Sequence, residues 1–242
     1  MTRARILLPI IAVAVLLGFW HIGYLGGALF DILPGKPAER FSNAHVVSLY
    51  LSGDMGFHAG LGPKIAQRLT EEGMPVVGEN SLNFFRVRRT PEETGAMIAR
   101  GLRQALALDS RARLILIGQS FGADVVAPSL PYVPIDLRRR ITLVALIVPG
   151  ATRQWRASPS EIFSYTEPEE DATVAARRLS WAPLLCIYGH DEKTSLCPAL
   201  RQPNAVRVML PGAHSLDHDP GAVSTVLSGV IAKALDGKGA GR

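Results

Sequence analysis

The stretch "LILIGQSFGADV", residues 114–125, decides the fold of this chain. A run of Leu and Ile ends at Gly118, and Ser120 then stands between that glycine and a second one, Gly122. An uninterrupted apolar run of this kind is typical of a strand buried on both faces of a parallel sheet. The residues after Ser120 are compatible with a helix, so the stretch predicts a sharp turn that joins a strand to a helix and exposes a small hydroxyl group.

This arrangement favours Ser120 as a nucleophile. In a strand–turn–helix connection of the form Gly-x-Ser-x-Gly, the serine adopts a strained backbone conformation at the edge of the sheet. Side chains at positions 118 and 122 would collide with the neighbouring strand and helix, which explains the two glycines. The following helix directs its amino end at the site, and the N–H of Phe121 is predicted to donate to a developing oxyanion.

The rest of the chain predicts an α/β fold with a mostly parallel sheet of about six strands and helices on both faces. Strands are expected at 44–52, 75–80, 112–118, 141–149, 183–189 and 204–212, and helices at 61–73, 90–108, from about 121, and at 221–235. The helix at 90–108 has a marked start, because Thr90, Pro91 and Glu93 form a capping-box pattern. This alternation, with the serine turn, indicates the α/β-hydrolase fold.

A serine hydroxyl needs a base, and in this fold the acid and the histidine follow the serine in that order. "YGHDEKT" follows the fifth strand and offers Asp191 and Glu192 as the acid, an alternative that the sequence leaves open. "LPGAHSLDHD" follows the sixth strand and offers His214 as the base. His218 is its nearest rival, whereas His45 and His58 precede the serine and fit the order less well.

The loop after the first strand, "LSGDMGFHAG" (residues 51–60), is the expected source of a second oxyanion donor. Its glycines allow a backbone N–H group to turn inward, and Met55 or Asp54 is the predicted donor. The long polar stretch at 150–180 is expected to pass over the carboxyl edge of the sheet, where doubly wound sheets bind ligands.

The amino-terminal residues 1–32 have the pattern of a signal peptide or an uncleaved signal anchor. Arg3 and Arg5 precede an apolar run that has almost no charge before Asp31. Because positive charges stay on the cytoplasmic side, the rest of the chain is expected in the periplasm, associated with the inner membrane. Residues 33–42 are interpreted as a linker and residues 43–238 as the α/β-hydrolase domain.

Composition limits the number of domains and the classes of partner and cofactor. The chain has 242 residues, of which 48% are hydrophobic and 19% are charged, which suits one domain with a sizeable core. Its net charge of +5 comes with scattered arginines rather than a basic tract, so nucleic-acid binding has little support, while anionic lipid is a reasonable partner. The two cysteines, Cys186 and Cys197, are expected to form a disulfide in an oxidising compartment. No cluster indicates a metal site, and no cofactor is expected.

Several long blocks resemble the VirJ/AcvB family of exported bacterial virulence proteins, from about Val46 to the last helix. They are "YLSGDMGF", "PVVGENSLNFFRVRRTPEET", "LILIGQSFGADVVAPSLP", "CIYGHDEKTSLCP" and "LPGAHSLDHD". The chain reads Gly-Asp-Met-Gly where that family usually has Gly-Asp-Gly-Gly. It is similar to the short, VirJ-like form, without the additional amino-terminal domain of AcvB-like members.

The resemblance implies an α/β hydrolase that cleaves aminoacylated phosphatidylglycerol, lysyl-phosphatidylglycerol in particular, at the periplasmic face of the inner membrane. It also implies a link to virulence and to type IV secretion components. For such a substrate we expect Arg86, Arg88 and Arg89 to pair with the lipid phosphate and Asp217 or Asp219 to attract the ammonium group. A general carboxylesterase, or a secretion accessory protein with a hydrolase fold and no turnover, are the alternatives.

Overall fold

A computed structural model describes residues 2–157 and 170–237 of the chain. The strands are β1 (Phe30–Leu33), β2 (Val46–Leu51), β3 (Val76–Glu79), β4 (Arg113–Gln119), β5 (Ile141–Ile147), β6 (Thr152–Arg153), β7 (Glu170–Asp171), β8 (Leu184–Gly189) and β9 (Ala205–Leu210). The α-helices are α1 (Thr2–His21), α2 (Gly62–Glu71), α3 (Ser81–Phe84), α4 (Pro91–Leu108), α5 (Phe121–Ser129), α6 (Ile135–Arg138), α7 (Ala172–Arg177) and α8 (Pro220–Gly237). Short 3₁₀ turns lie at Leu130–Tyr132, Cys197–Ala199 and Leu216–His218.

Seven strands form one sheet in the order β1-β3-β2-β4-β5-β8-β9. All neighbours pair in parallel except β1, which runs antiparallel to β3 at one edge. The chain order reverses at β2 and β4, so the loops after these two strands meet at the carboxyl edge of the sheet. Ligands bind at such a switch point in open α/β sheets.

Helices cover both faces of the sheet, as the apolar strands require. On one face α4 and α5 pack against β2 and β4, and on the other face α2 and α8 pack against each other and against β3 and β5. Two separate apolar clusters result, one on each side, and all six residues of β2 are buried. Burial on both faces is why the strands have continuous apolar sequences rather than alternating ones.

The predicted α/β-hydrolase architecture is confirmed in its main features, with seven strands in the main sheet rather than about six. The capping box of α4 is present: the Thr90 side chain accepts from the Glu93 N–H, and the Glu93 carboxylate accepts from the Thr90 N–H. The additional strand is β1, which lies in residues interpreted as the end of a signal segment and the start of a linker.

This antiparallel edge strand could not be recognised from its sequence, because four residues carry little pattern. The residues that follow it also belong to the folded body. Phe41 is buried, and the N–H groups of Lys36 and Phe41 donate to the carbonyls of Thr70 and Glu72 at the end of α2. Ordered structure therefore begins ahead of residue 43, where the sequence placed the start of the domain.

Helix α1 presents apolar side chains to its surroundings. Among them, Ile10, Leu17 and Trp20 have 58, 58 and 68% of their surface exposed. Across the residues whose side chains are described, no helix combines the length and the apolar character needed to cross a membrane. The signal or anchor in residues 1–32 stays a prediction.

The structure describes part of the long polar stretch at 150–180. Strands β6 and β7 form a two-stranded antiparallel ribbon, and α7 follows at once and packs against α5. Trp155, between the two strands, is 2% exposed and belongs to the same apolar cluster as α5. Residues 158–169 lie outside the described part of the chain.

Candidate active site

Ser120 has the strained backbone that the glycine pattern predicted, with φ 51° and ψ −122° between the end of β4 and the start of α5. A side chain on Gly118 would approach the backbone of α5 to 2.7 Å at the Ala123 Cα, and one on Gly122 would approach the Leu51 and Ser52 carbonyls to 2.5 Å. Both distances are well below contact distance, so the turn closes only with glycine at both positions. The strain is stored where it lifts a hydroxyl group above the sheet.

His214 lies beside the serine. The Ser120 hydroxyl donates to His214 Nε2 over 2.8 Å, and His214 Nδ1 donates to Glu192 Oε1 over 2.5 Å. Only 3% of the Glu192 side chain is exposed, whereas that of His214 is half-exposed. The hydrogen bond that His214 donates to Glu192 raises the pKa of His214, against the desolvation that lowers it. Because Nδ1 carries a proton toward Glu192, Nε2 is free to accept the serine proton.

The structure thus separates the two acids that the sequence left open. Asp191 is exposed, and its carboxylate accepts from the neighbouring His190 Nδ1 over 2.8 Å. Its backbone N–H donates to the Gly212 carbonyl, which ties the acid loop directly to the loop that carries the histidine. A side chain on Gly189 would approach the Gly212 carbonyl to 2.5 Å, so a glycine is needed where these two loops meet.

The predicted disulfide between Cys186 and Cys197 is formed, with both cysteines fully buried. It joins β8 to the end of the acid loop, so Glu192 lies within the short segment that the bridge closes. The same loop is held from the β5 side, because Gly150 forms an antiparallel bridge with Ser195 and the Ala151 N–H donates to the Thr194 carbonyl. Glu192 is therefore presented from a segment fastened at both ends.

Asp124 is a polar residue next to this site that the sequence motifs did not indicate. It lies one helical turn after Ser120 in α5, and its carboxylate accepts from the Gly150 N–H over 2.8 Å. Loss of solvent around the carboxyl raises the pKa of Asp124 well above its usual range, and the nearby charge of Glu192 raises it further. Asp124 thus fastens the loop after β5 with a carboxyl group whose charged form is disfavoured by burial. Its position four residues after the serine was the available signal.

The loop predicted to supply the second oxyanion donor lies against the nucleophile. A Cβ atom on Gly53 would be 3.5 Å from the Ser120 Cβ and 4.0 Å from its Oγ. The Gly56 N–H donates to the Gly53 carbonyl, so Asp54 and Met55 occupy the centre of a tight turn. The Phe121 N–H belongs to the first turn of α5, where N–H groups have no carbonyl partner within the helix.

The loop at residues 51–60 is connected by hydrogen bonds to a buried polar group at the end of β3. Ser81 donates from its N–H to Ser52 Oγ and from its hydroxyl to Glu79 Oε2, over 3.0 and 2.8 Å. Burial raises the pKa of Glu79 to about 8, which the hydrogen bonds from Ser81 and Ser52 only partly offset. Glu79 belongs to no catalytic motif in the sequence, although a carboxylate at the end of a buried strand is unusual.

The three arginines predicted to bind the lipid phosphate differ in exposure and in their contacts. The Arg89 guanidinium stacks on the Phe84 ring at 4.6 Å and donates to the Phe84 carbonyl. Arg86 and Arg88 are exposed, and Arg86 makes a long contact of 3.5 Å with the Tyr24 carbonyl. This segment adjoins the nucleophile, because the ring of Phe85 packs edge-on against that of Phe121 at 4.8 Å.

Of the two predicted acidic binders, Asp219 is used by the fold. Its carboxylate accepts from the N–H groups of Gly221 and Ala222 at the start of α8. Asp217 is exposed and sits in the 3₁₀ turn after His214 with a positive φ of 50°. The Asp219 carboxylate therefore caps a helix, and the Asp217 carboxylate does not.

The other histidines considered as the base lie elsewhere in the fold. His45 bonds to Asp109, and His58 bonds to Asp31 and to the His21 carbonyl. His218, the nearest rival of His214, lies at the far end of the turn at Leu216–His218. Within residues 2–157 and 170–237, no group of three potential ligands could hold a metal ion.

Comparison with known proteins now identifies the family. The description "Bacterial virulence protein (VirJ)" matches residues 45–235, which is most of the chain. This chain belongs to the VirJ family. The match begins just before β2 and ends in α8, so it contains Ser120, Glu192 and His214. A search among curated proteins finds no match.

Solved structures support the α/β-hydrolase fold of this VirJ-family chain. Est1E from Butyrivibrio proteoclasticus has a TM-score of 0.62 and 13% identity, covering 86% of this chain and 94% of Est1E. XC6422 from Xanthomonas campestris, described as an α/β serine hydrolase without a lid, has a TM-score of 0.57 and 17% identity, covering 84 and 88%. The esterase domain from a Rhodothermus marinus protein has a TM-score of 0.54 and 15% identity, covering 84 and 98%. At these identities the likeness concerns the fold alone.

Proposed function

We propose that this VirJ-family protein is a serine ester hydrolase in which Ser120 is the nucleophile, His214 the general base and Glu192 the acid that orients the imidazole. The observation that carries the proposal is the continuous chain of hydrogen bonds from Ser120 Oγ through His214 to Glu192, 2.8 and 2.5 Å long. The fold, and the names of the similar structures as esterases and serine hydrolases, support the same reaction class.

The geometry suggests the following reaction. Ser120 Oγ bonds to the ester carbonyl carbon while its proton passes to His214 Nε2, and Glu192 stabilises the imidazolium that forms. The tetrahedral intermediate breaks its bond to the alcohol oxygen, which takes the proton from His214. Water then attacks the acyl-enzyme with His214 again as base, and Ser120 recovers its proton as the acid product leaves.

The negative oxygen of the intermediate needs two donors that are already in place. The Phe121 N–H is the first, since it belongs to the first turn of α5 and directly follows the nucleophile. The second is the backbone N–H of Asp54 or Met55, in the turn that Gly53 holds against Ser120. One such donor is worth about a hundredfold to a thousandfold in kcat in serine hydrolases.

We further propose the aminoacyl ester of aminoacyl-phosphatidylglycerol, lysyl-phosphatidylglycerol in particular, as the substrate. The family supports this choice, and the products would be the free amino acid and phosphatidylglycerol. Arg86 and Arg88 are exposed, whereas Arg89 is partly buried and stacks on Phe84, and this difference in exposure favours the first two for the lipid phosphate. Asp217 is the better placed of the two aspartates at the far loop, because Asp219 caps α8.

A position at the periplasmic face of the inner membrane suits this substrate. The buried disulfide is typical of an oxidising, exported environment. The exposed apolar side chains of α1 and the basic residues ahead of them support membrane contact by the amino-terminal segment, because large exposed apolar surfaces usually mark interaction sites. Components of a secretion system are further candidate partners.

Two measurements test the proposal. A fluorophosphonate probe should label the wild-type protein and not Ser120→Ala; absence of labelling, or equal labelling of both, would favour an accessory protein without turnover. In cells, deletion should raise aminoacyl-phosphatidylglycerol, and wild type but not Ser120→Ala should restore its level. Labelling without any change in this lipid would leave an esterase with another substrate.

A further inference from the structure

The side chain of Asp54 has a position that its predicted role as a backbone donor does not explain. Asp54 directly follows Gly53, the residue whose backbone lies against Ser120. The hydrogen bond from Gly56 to Gly53 closes the turn and fixes Asp54 at its tip. A carboxylate is therefore held one residue away from the contact with the nucleophile.

No side chain that the structure describes neutralises this carboxylate. Among residues 2–157 and 170–237, Asp54 makes no side-chain hydrogen bond and no ion pair, and it is partly exposed. The charge of Asp54 nevertheless affects the titratable groups of the site. The pKa of His214 is raised first by the Glu192 hydrogen bond and, to a smaller extent, by the charge of Asp54, which also contributes to the raised pKa of Asp124.

The other acidic groups of the site are already accounted for. Glu192 is paired with His214, and the Asp124 carboxylate accepts from the Gly150 N–H, with its pKa raised by loss of solvent. Asp54 is left as an unpaired negative charge beside the place where an oxyanion would form. Such a charge opposes the oxyanion unless a cation lies between or beside them. Since no side chain in the described part of the chain forms a hydrogen bond or an ion pair with Asp54, the cation that fits is one carried by the substrate.

The chemistry of an aminoacyl ester supplies a cation at the right place. Its α-ammonium nitrogen is two bonds from the ester carbonyl carbon, a separation of about 2.5 Å. When Ser120 attacks that carbon, the ammonium must lie within a few ångströms of the nucleophile. The side-chain ammonium of a lysyl group is several bonds further away and can lie well outside this region.

We propose that Asp54 binds the α-ammonium group of the substrate's acyl portion and makes the enzyme selective for esters of amino acids that have a free amino group. This inference rests on the proposed function and deepens it. The selectivity concerns the α-amino group, so lysyl and alanyl esters would both be accepted. An N-acetylated ester has no α-ammonium group and would not bind to Asp54.

The test compares two chromogenic esters on the full-length protein, an L-alanyl ester and its N-acetyl derivative. Asp54→Asn should lower kcat/KM for the alanyl ester about five- to tenfold more than kcat/KM for the N-acetyl ester, mainly through KM. Asp54→Glu should recover part of the loss. The remote, exposed Asp136→Asn serves as the control for removal of one negative charge and should match wild type on both esters.

Salt supplies a second readout that a purely structural role would not alter. The wild-type preference for the alanyl ester should decrease as ionic strength rises, because a partly exposed ion pair is screened, and Asp54→Asn should show little such decrease. The rate of fluorophosphonate labelling of Ser120 reports whether the variant retains its fold and its triad, because this neutral probe has no ammonium group.

Equal losses on both esters would overturn the inference, since they would indicate damage to the oxyanion turn. It would also be overturned by no loss on either ester, or by a loss that follows Asp217→Asn instead. Failure of the proposed function looks different, because the wild type would then cleave neither ester and resist the probe. Cleavage of both esters with an unchanged ratio in Asp54→Asn would refute only the role of Asp54.

Discussion

Glu192, and not its neighbour Asp191, accepts the hydrogen bond from His214 Nδ1, over 2.5 Å. Only 3% of its side chain is exposed, whereas 66% of the Asp191 side chain is exposed. Two adjacent carboxylates thus have opposite surroundings, because successive side chains of the acid loop point in different directions. Replacing each of these two carboxylates by its amide therefore tests directly which of them acts on His214.

Glu192→Gln should lower kcat about a hundredfold or more, because the amide no longer stabilises the imidazolium of His214 and can select the wrong tautomer. Asp191→Asn, the matched control one residue away, should change kcat less than about threefold, as expected for an exposed group paired with a surface histidine. Steady-state hydrolysis of a simple ester measures both. Similar losses in the two variants would contradict the assignment of Glu192.

The acidic limb of the pH profile should reflect the raised pKa of His214. The base must be neutral to accept the serine proton, so kcat/KM should increase with pH and reach half its maximum above about pH 6.5, the ordinary value for histidine. In Glu192→Gln the limb should move to lower pH, because the main cause of the shift is gone. A midpoint that is below 6.5 in wild type, or that stays fixed in the variant, would contradict this.

Replacement of Gly122 should disrupt the elbow. In Gly122→Ala the new methyl group would meet the carbonyls of Leu51 and Ser52 at 2.5 Å, and we expect a loss of about 1–3 kcal/mol in the free energy of unfolding with greatly slowed probe labelling. Gly229→Ala in α8 is the control, since no atom lies within 4 Å of its added carbon. It should stabilise the helix by up to about 1 kcal/mol. Denaturant unfolding distinguishes them, and equal effects would refute the steric argument.

Removal of the disulfide should affect both stability and the acid loop. The Cys186→Ala, Cys197→Ala double variant should lose about 3 kcal/mol, the chain-entropy value for a loop this short, and should also lose activity because Glu192 lies inside the loop. Reductant should destabilise the wild type similarly and leave the double variant unchanged. A reductant effect on the double variant would point to another cause.

The buried Glu79 should make stability depend on pH. Its pKa is raised by burial from 4.5 to about 8, so between these values the folded state holds a proton that the unfolded state releases. Wild-type stability should therefore decrease as pH rises through this window, by on the order of 3 kcal/mol at pH 7 relative to Glu79→Gln.

Unfolding curves at several pH values measure this difference, with the exposed Glu39→Gln as a control that should follow wild type. A constant difference between wild type and Glu79→Gln from pH 4.5 to 8 would show that Glu79 is not held neutral by the fold.

Much of this protein is encoded in short stretches of sequence. The two glycines around Ser120 specify the elbow because they describe contacts made within one turn. Likewise Thr90 and Glu93 cap α4 through bonds three residues apart. The order of strands, serine and histidine follows from a fold in which functional groups sit at the carboxyl ends of parallel strands, so His214 could be predicted at the same edge as Ser120.

Tertiary structure decided the rest. Whether Glu192 or Asp191 turns toward His214 depends on a loop fastened by a disulfide, by Gly150 and by the histidine loop, none of which is local in sequence. The edge strand β1 exists only because β3 offers an open edge for pairing. Asp54 and Asp124 are far apart in sequence and ordinary in type. Only folding sets them around one nucleophile, because charge and desolvation depend on distances in space that the sequence pattern does not contain.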